Sequence, residues 1–233
     1  MLGASSLVIL IAATIPAITS DPGFEDANQP QQSTDAASLP PAPDRPAPLR
    51  YTQSGDGFLI IKPPKSEQSD TTNKRVSRTV VRYTVEIESG LKTRARELSE
   101  IADQVLQDRK RGWGSDGSRN FKRVTDANTA NVRVVLANPA TVDSRCAAIG
   151  LFTAGTFSCW DGSRAMINLE RWKNGATDFK SLDLYRRYVI NHEVGHGLGF
   201  GHQSCPSAGA LAPLMMQQTK TTGACRPNAW PYP

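Results

Sequence analysis

The clearest alternation of apolar and polar positions runs from Thr79 to Glu88, where Val81, Tyr83, Val85 and Ile87 fall on every second residue. A period of two puts those side chains on one face of a half-buried strand, which Gly90 then breaks. From Thr93 to about Arg109 the period changes. Leu98, Ile101, Ala102 and Val105 recur at three- and four-residue intervals with Arg and Glu opposite, which predicts an amphipathic helix packed on a sheet. Phe58–Ile61 reads as a short lead-in strand stopped by Pro63 and Pro64, and residues 65–78 read as a polar loop. Two further strands are predicted at Phe121–Val124 and Asn131–Ala137, the second with Val132, Val134 and Leu136 on one face, followed by a less regular stretch to Gly155. Thr156–Trp160 and Arg164–Leu169 flank Asp161-Gly162-Ser163, a hairpin turn sequence. After a loop containing Trp172 and Gly175, either Ser181 or Asp183 caps a helix that runs through His192 and His196. The order strand, helix, strand, strand, hairpin, helix predicts an α+β fold.

The N-terminal fifth has a different pattern. No charged residue occurs from Leu2 to Ser20, and Leu7–Ala13 with Ile15, Ala17 and Ile18 is apolar enough for a secretory signal or a short membrane anchor. Residues 21–50 carry seven prolines among Ser, Gln, Asp and Ala, a composition that cannot bury enough surface to offset its ordering entropy. That stretch is expected to be a disordered linker, with a cleaved pro-segment as the alternative, and the folded domain to span 51–233. The protein is therefore expected outside the cell or at its surface, touching a membrane only through its first residues. The residues after Arg50 include 25 basic and 17 acidic side chains. Clusters such as Lys74, Arg75, Arg78 and Arg82, or Arg109, Lys110 and Arg111, match no nucleic-acid-binding motif, so the charge points to solubility or to anionic envelope polymers rather than nucleic acid.

Chemistry concentrates in eleven residues. All three histidines of the chain lie in His-Glu-Val-Gly-His-Gly-Leu-Gly-Phe-Gly-His, from His192 to His202. Two histidines four apart on a helix point the same way at one metal ion. Gly199 can turn the chain, because glycine tolerates positive φ, and so bring His202 back to that side. Three imidazoles on a zinc ion leave the fourth position open to water, the arrangement of a catalytic rather than a structural site, and Glu193 is placed to take a proton from that water.

The spacing His-Glu-x-x-His-x-x-Gly-x-x-His resembles the signature of the metzincin zinc peptidases at every fixed position. The resemblance implies a metzincin-like fold over about residues 79–233: a twisted mixed sheet, two main helices and a small irregular C-terminal part after the third histidine. It implies one catalytic Zn²⁺ on His192, His196 and His202, with Glu193 as general base, and a buried methionine turn for which Met215 best fits. Gln217 stands where some metzincins place a tyrosine. An edge strand beside the metal, by position Thr156–Trp160, would either pair with an extended substrate or merely close the sheet. Zymogen blocking by an upstream cysteine is not open to this chain, whose first cysteine is Cys146.

Four cysteines in an exported chain suggest two disulfides. Of three possible pairings, Cys146 with Cys159 and Cys205 with Cys225 is expected; the second closes a loop around the methionine turn and contributes about 3 kcal/mol in the chain-entropy model. The chain also resembles an uncharacterised family of exported actinobacterial proteins in Tyr188-Val189-Ile190-Asn191, in Met215-Met216-Gln217-Gln218-Thr219 and in Pro227-Asn228-Ala229-Trp230-Pro231. The expected activity is that of a monomeric zinc endopeptidase acting on peptides or proteins, cell-envelope peptides among them. A zinc-containing module that binds envelope polymers or peptides without cutting is the alternative, and an intact Glu193 favours the enzyme.

Overall fold

The structure is a computed structural model that describes residues 47–64 and 79–233. The expected export segment, most of the linker and the polar loop at 65–78 lie outside those residues. Strand β3, Thr79–Glu88, runs through the middle of the sheet. Val81, Tyr83, Val85 and Ile87 are buried on one face as their alternation requires, and Thr84 and Glu86 are buried on the other, so both faces of this strand are covered. On the antiparallel side lie β2, Phe58–Ile61, and beyond it β1, Tyr51–Gln53. β3 also pairs in parallel with β4, Arg119–Arg123, and with β5, Val132–Ala137. β5 pairs in parallel with β7, Arg164–Asn168, whose antiparallel neighbour β6, Cys159–Trp160, forms the sheet edge. The fold is α+β on a mixed sheet.

Four α-helices occur among the described residues, two more than the main pair expected. α1, Ala95–Leu106, buries Leu98, Ile101, Ala102 and Val105, the predicted face, after a 3-10 turn at Ser89–Arg94. α4, Leu182–Gly197, starts at Ser181, whose hydroxyl accepts from the Leu184 N–H at 3.2 Å and so resolves the choice of cap. α1 and α4 share the main core with Val85, Val134 and Ile167 of the sheet. The two unexpected helices are short. α2, Pro139–Ala147, replaces the irregular stretch: Pro139 occupies its first turn, where a missing N–H costs nothing, and Val142 and Cys146 face the sheet one turn apart. α3, Leu169–Asn174, replaces the loop around Trp172; Asn168 caps it by accepting from the Glu170 N–H, and Gly175 ends it at φ 70°.

The face opposite α4 is smaller and partly ionic. Phe58, Val135, Ala137 and Met166 pack against α2, and Cys146 is bonded to Cys159, tying α2 to the edge strand. Beside them the fully buried Glu86 takes two 2.7 Å hydrogen bonds from the Arg133 guanidinium, a bidentate pair that offsets the desolvation of both charges. β6 is shorter than expected. The Thr156 and Phe157 N–H groups turn back to donate to Thr153 O at 2.9 Å, so the backbone before Ser158 is a turn and leaves the ladder.

After α4 the described chain has no further helix or multi-residue strand, and side-chain hydrogen bonds take over from ladders. Asn228 is the hub: its amide nitrogen donates to Ala212 O and Trp230 O, its Oδ1 accepts from the Trp230 N–H, and its backbone exchanges bonds with the Gln218 amide. Tyr188 Oη donates to Met216 O and accepts from the Gln218 N–H, both at 2.9 Å, while Asn191 Nδ2 donates to Ala229 O. The expected Cys205–Cys225 bond closes the same segment. Three separated sequence phrases thus meet as one unit beneath α4. Asn228→Ala is expected to lower stability by roughly 2–4 kcal/mol, because three side-chain bonds are lost and buried backbone groups lose their partners. Gln217→Ala, at an exposed position of the same segment, is expected to stay within about 0.5 kcal/mol of the parent; equal losses for the two in urea denaturation would contradict this account.

Candidate metal centre

α4 carries His192 and His196 on its last two turns and then stops in a defined way. The Phe200 N–H bonds to Gly195 O and the Gly199 N–H to His196 O, both at 3.0 Å, a Schellman closure with Gly199 at φ 93°. The reversal brings His202 back beside His196, with their Nε2 atoms 3.1 Å apart. One nitrogen from each of His192, His196 and His202 falls within 4.8 Å of the others, so this trio could hold a metal ion.

The backbone fixes which nitrogen the two helical histidines present. His192 Nδ1 lies 3.0 Å from Leu214 O and His196 Nδ1 lies 2.9 Å from Phe200 O. A carbonyl only accepts, so each Nδ1 carries the proton and each Nε2 keeps a lone pair for a cation. An ion about 2 Å from each nitrogen in tetrahedral geometry holds those nitrogens about 3.3 Å apart, close to the separation of His196 and His202. All three imidazoles are held below their ordinary basicity, His192 down to about 3 and each chiefly by burial, with the charge of Lys220 contributing at His202. Neutral imidazoles are what a metal needs.

The packing under the triad accounts for two motif positions that the histidine spacing leaves open. A Cβ on Gly195 would lie 2.4 Å from Met215 Sδ and 2.7 Å from the Trp113 ring, and one on Gly197 would lie 2.7 Å from the Trp160 ring. Glycine at both positions lets the methionine turn and the edge strand approach the helix. Met215 is buried, as expected of a filler beneath the histidines, and the Gln203 N–H donates to its carbonyl. Trp113 was not singled out from sequence, since it sits alone in a loop. It donates to Asn191 O at 3.0 Å and stacks on Phe200 at 4.6 Å, bracing the residue whose carbonyl orients His196.

Glu193 and the three histidines line a cleft of about 530 Å³, with Phe157, Ser158 and Trp160 of the edge-strand side on one wall and Gln217, Thr219 and Lys220 on another. Burial alone pushes the Glu193 carboxyl up to about 8. A carboxylate next to a triad that could carry a cation, with no hydrogen-bond or ion-pair partner among the described residues, is suited to holding and releasing a proton.

The family described as "Protein of unknown function (DUF3152)" matches residues 46–233. The chain belongs to that family. No curated protein and no solved structure matches it. In this DUF3152 domain Glu193 and the three histidines stand together in one cleft with Cys159 on its wall, Gly199 turns the chain between His196 and His202, Met215 packs against Gly195, and the Cys205–Cys225 bond closes the segment that carries the turn.

The two buried titrating groups make opposite demands on the metal-free protein. Glu193, raised from 4.5 to about 8, keeps a proton that the unfolded chain has already released, so its contribution is full below 4.5 and is lost as pH rises through about 8. His192, lowered from 6.5 to about 3, contributes above 6.5 and loses that contribution as pH falls towards about 3. Glu193→Gln removes the first effect alone. After chelation, the thermal midpoint of this variant is expected to exceed that of the parent by a margin that widens from about pH 5 to about pH 9; a constant margin across that range would show that Glu193 titrates normally.

Proposed function

We propose that this chain is an exported zinc-dependent endopeptidase of metzincin type. The observation that carries the reading is the placement of the buried Glu193 carboxyl, which has no hydrogen-bond or ion-pair partner among the described residues, in the same cleft as three imidazoles that could hold one cation, two of them with tautomers set by backbone carbonyls. Supporting it are the order of features along the chain, two helical histidines, a positive-φ Gly199, a third histidine and a buried methionine turn, and the edge strand beside them. Zinc is the favoured ion because an all-imidazole donor set suits it and an open position makes such a site catalytic. Two disulfides are compatible with a location outside the cell.

His192, His196 and His202 would hold the ion, which supplies Lewis acidity towards a water and a carbonyl. Glu193 takes a proton as the water oxygen bonds to the carbonyl carbon, holds it in its low-dielectric surroundings, and gives it to the leaving nitrogen as the carbon–nitrogen bond breaks. The short edge strand β6 offers main-chain groups to an extended peptide lying across the cleft. Peptides of the cell envelope, including cell-wall cross-links, fall within the same chemistry. A zinc-containing binding module that does not cut is the second reading, favoured by Gln217 in the cleft wall where some metzincins carry a tyrosine.

Purified full chain is expected to bind one zinc ion, and His196→Ala to lose it. With a diverse peptide pool read by mass spectrometry, the parent is expected to produce cleavage that Glu193→Gln lowers by about 10²–10⁴-fold while keeping its zinc. Undiminished cleavage by the variant removes Glu193 from the mechanism, and zinc retention with no cleavage by either protein replaces the peptidase with the binding module.

A further inference from the structure

The cleft contains one cationic side chain outside the histidine set. Lys220 lines its wall and lies close enough to His202 for its charge to act on that imidazole. Two contacts restrain it: Nζ donates to Gln217 Oε1 at 3.2 Å, and the ammonium sits 5.5 Å over the Phe157 ring. An ammonium has three N–H donors, so two remain without an acceptor among the described residues. No carboxylate among the described residues pairs with it, and Glu193, the acidic group in the cleft lining, is perturbed by burial alone. Most arginines around the sheet and α4, by contrast, have acidic partners, as in Arg133 with Glu86, Arg186 with Glu97 and Arg187 with Asp183. Leu151 and Phe152 line the same cleft and are exposed at 45% and 91%, leaving apolar area open there among the described residues.

We propose that Lys220 determines substrate choice: it binds a carboxylate that the substrate carries close to the bond presented to the histidines, with an apolar neighbour resting on Leu151 and Phe152. This inference rests on the peptide-binding use of the cleft argued above. The carboxylate belongs either to an acidic side chain or to the end of the substrate chain, and a lysine ammonium recognises both in the same way. Phe157 precedes the edge strand and Lys220 follows the methionine turn, so their contact joins two walls of the cleft at one point. An extended peptide lying along β6 must place a group there, and an anionic group takes up the free donors.

The test separates recognition from cutting. Zinc-loaded full chain carrying Glu193→Gln is equilibrated with a pool of decapeptides, each made in six forms, with Glu, Gln or Lys at one internal position and a free carboxylate or an amide at the C-terminus. The bound fraction is read by mass spectrometry. Carboxylate forms are expected to be enriched about tenfold over their neutral counterparts, the size of one charge-assisted hydrogen bond. Adding Lys220→Met is expected to bring that ratio close to one, and adding Lys220→Glu to turn the preference towards lysine-containing peptides, an inversion that misfolding cannot produce. Enrichment of the internal Glu forms assigns an acidic side chain, and enrichment of the free C-terminus assigns the chain end. The inference is overturned if the carboxylate forms are not enriched, or if Lys220→Met keeps the enrichment. Cleavage of the same pool by the parent chain reads the peptidase proposal by itself: enrichment without cleavage keeps the role of Lys220 and removes the peptidase.

Discussion

Two backbone carbonyls govern the centre of this protein. Leu214 O and Phe200 O each take the Nδ1 proton of a helical histidine, and by doing so they decide that His192 and His196 turn their Nε2 atoms into the cleft. Neither carbonyl belongs to a strand or to the body of a helix, so each has to be held by something else. Phe200 is held by the Schellman closure at Gly199 and by its stacking on Trp113. Leu214 is held by a segment without regular structure, whose rigidity comes from the Asn228 and Gln218 amides, the Tyr188 hydroxyl and the Cys205–Cys225 bond. Residues remote in sequence from the histidines therefore set the geometry in which the trio could hold a metal ion, the usual role of partners behind a ligating imidazole.

The sheet contributes a rigid floor and one edge. β3, β5 and β7 are buried on both faces, by α1 and α4 on one side and α2 on the other, so α4 rests on strands that cannot shift separately. The edge strand β6 is tied to α2 through Cys146–Cys159 and touches α4 through Trp160 at Gly197. Two hydrogen-bonded residues are a weak hold on their own. The disulfide and the tryptophan contact keep this short edge beside the histidines, where Cys159 and Trp160 line the cleft.

A buried carboxyl beside one buried, one half-buried and one exposed imidazole is an expensive arrangement for a protein to maintain. Burial disfavours the charged form of Glu193 and of the histidines alike, so the site is least costly when all four groups are neutral or when a cation compensates the carboxylate. Ordered packing around the helix, with Met215 against Gly195 and Trp113 across it, gives the local stability that offsets this cost. Perturbed groups of this kind gather at working sites, and here they are the residues that the proposed mechanism uses.

The sequence by itself determined whatever a local period or a short spacing encodes. The alternation in β3, the buried face of α1, the Asp161–Ser163 hairpin, the start of α4 near Ser181 or Asp183 and the His192–His202 motif with its Gly199 turn were legible because each depends on residues within a few positions of one another. Helices α2 and α3, of 9 and 6 residues, were not legible because a run of fewer than three turns repeats its apolar face too few times to stand out and is stabilised mainly by packing. Thr156 and Phe157 looked like strand by composition, but their N–H groups turn back to Thr153 and leave the ladder. Only the tertiary structure decided why Gly195 and Gly197 are glycines, which carbonyls orient the imidazoles, that Trp113 braces the helix and that Lys220 faces the cleft. Those assignments rest on contacts between segments far apart in the chain, such as Trp113 with Asn191, and no local pattern of side chains carries that information.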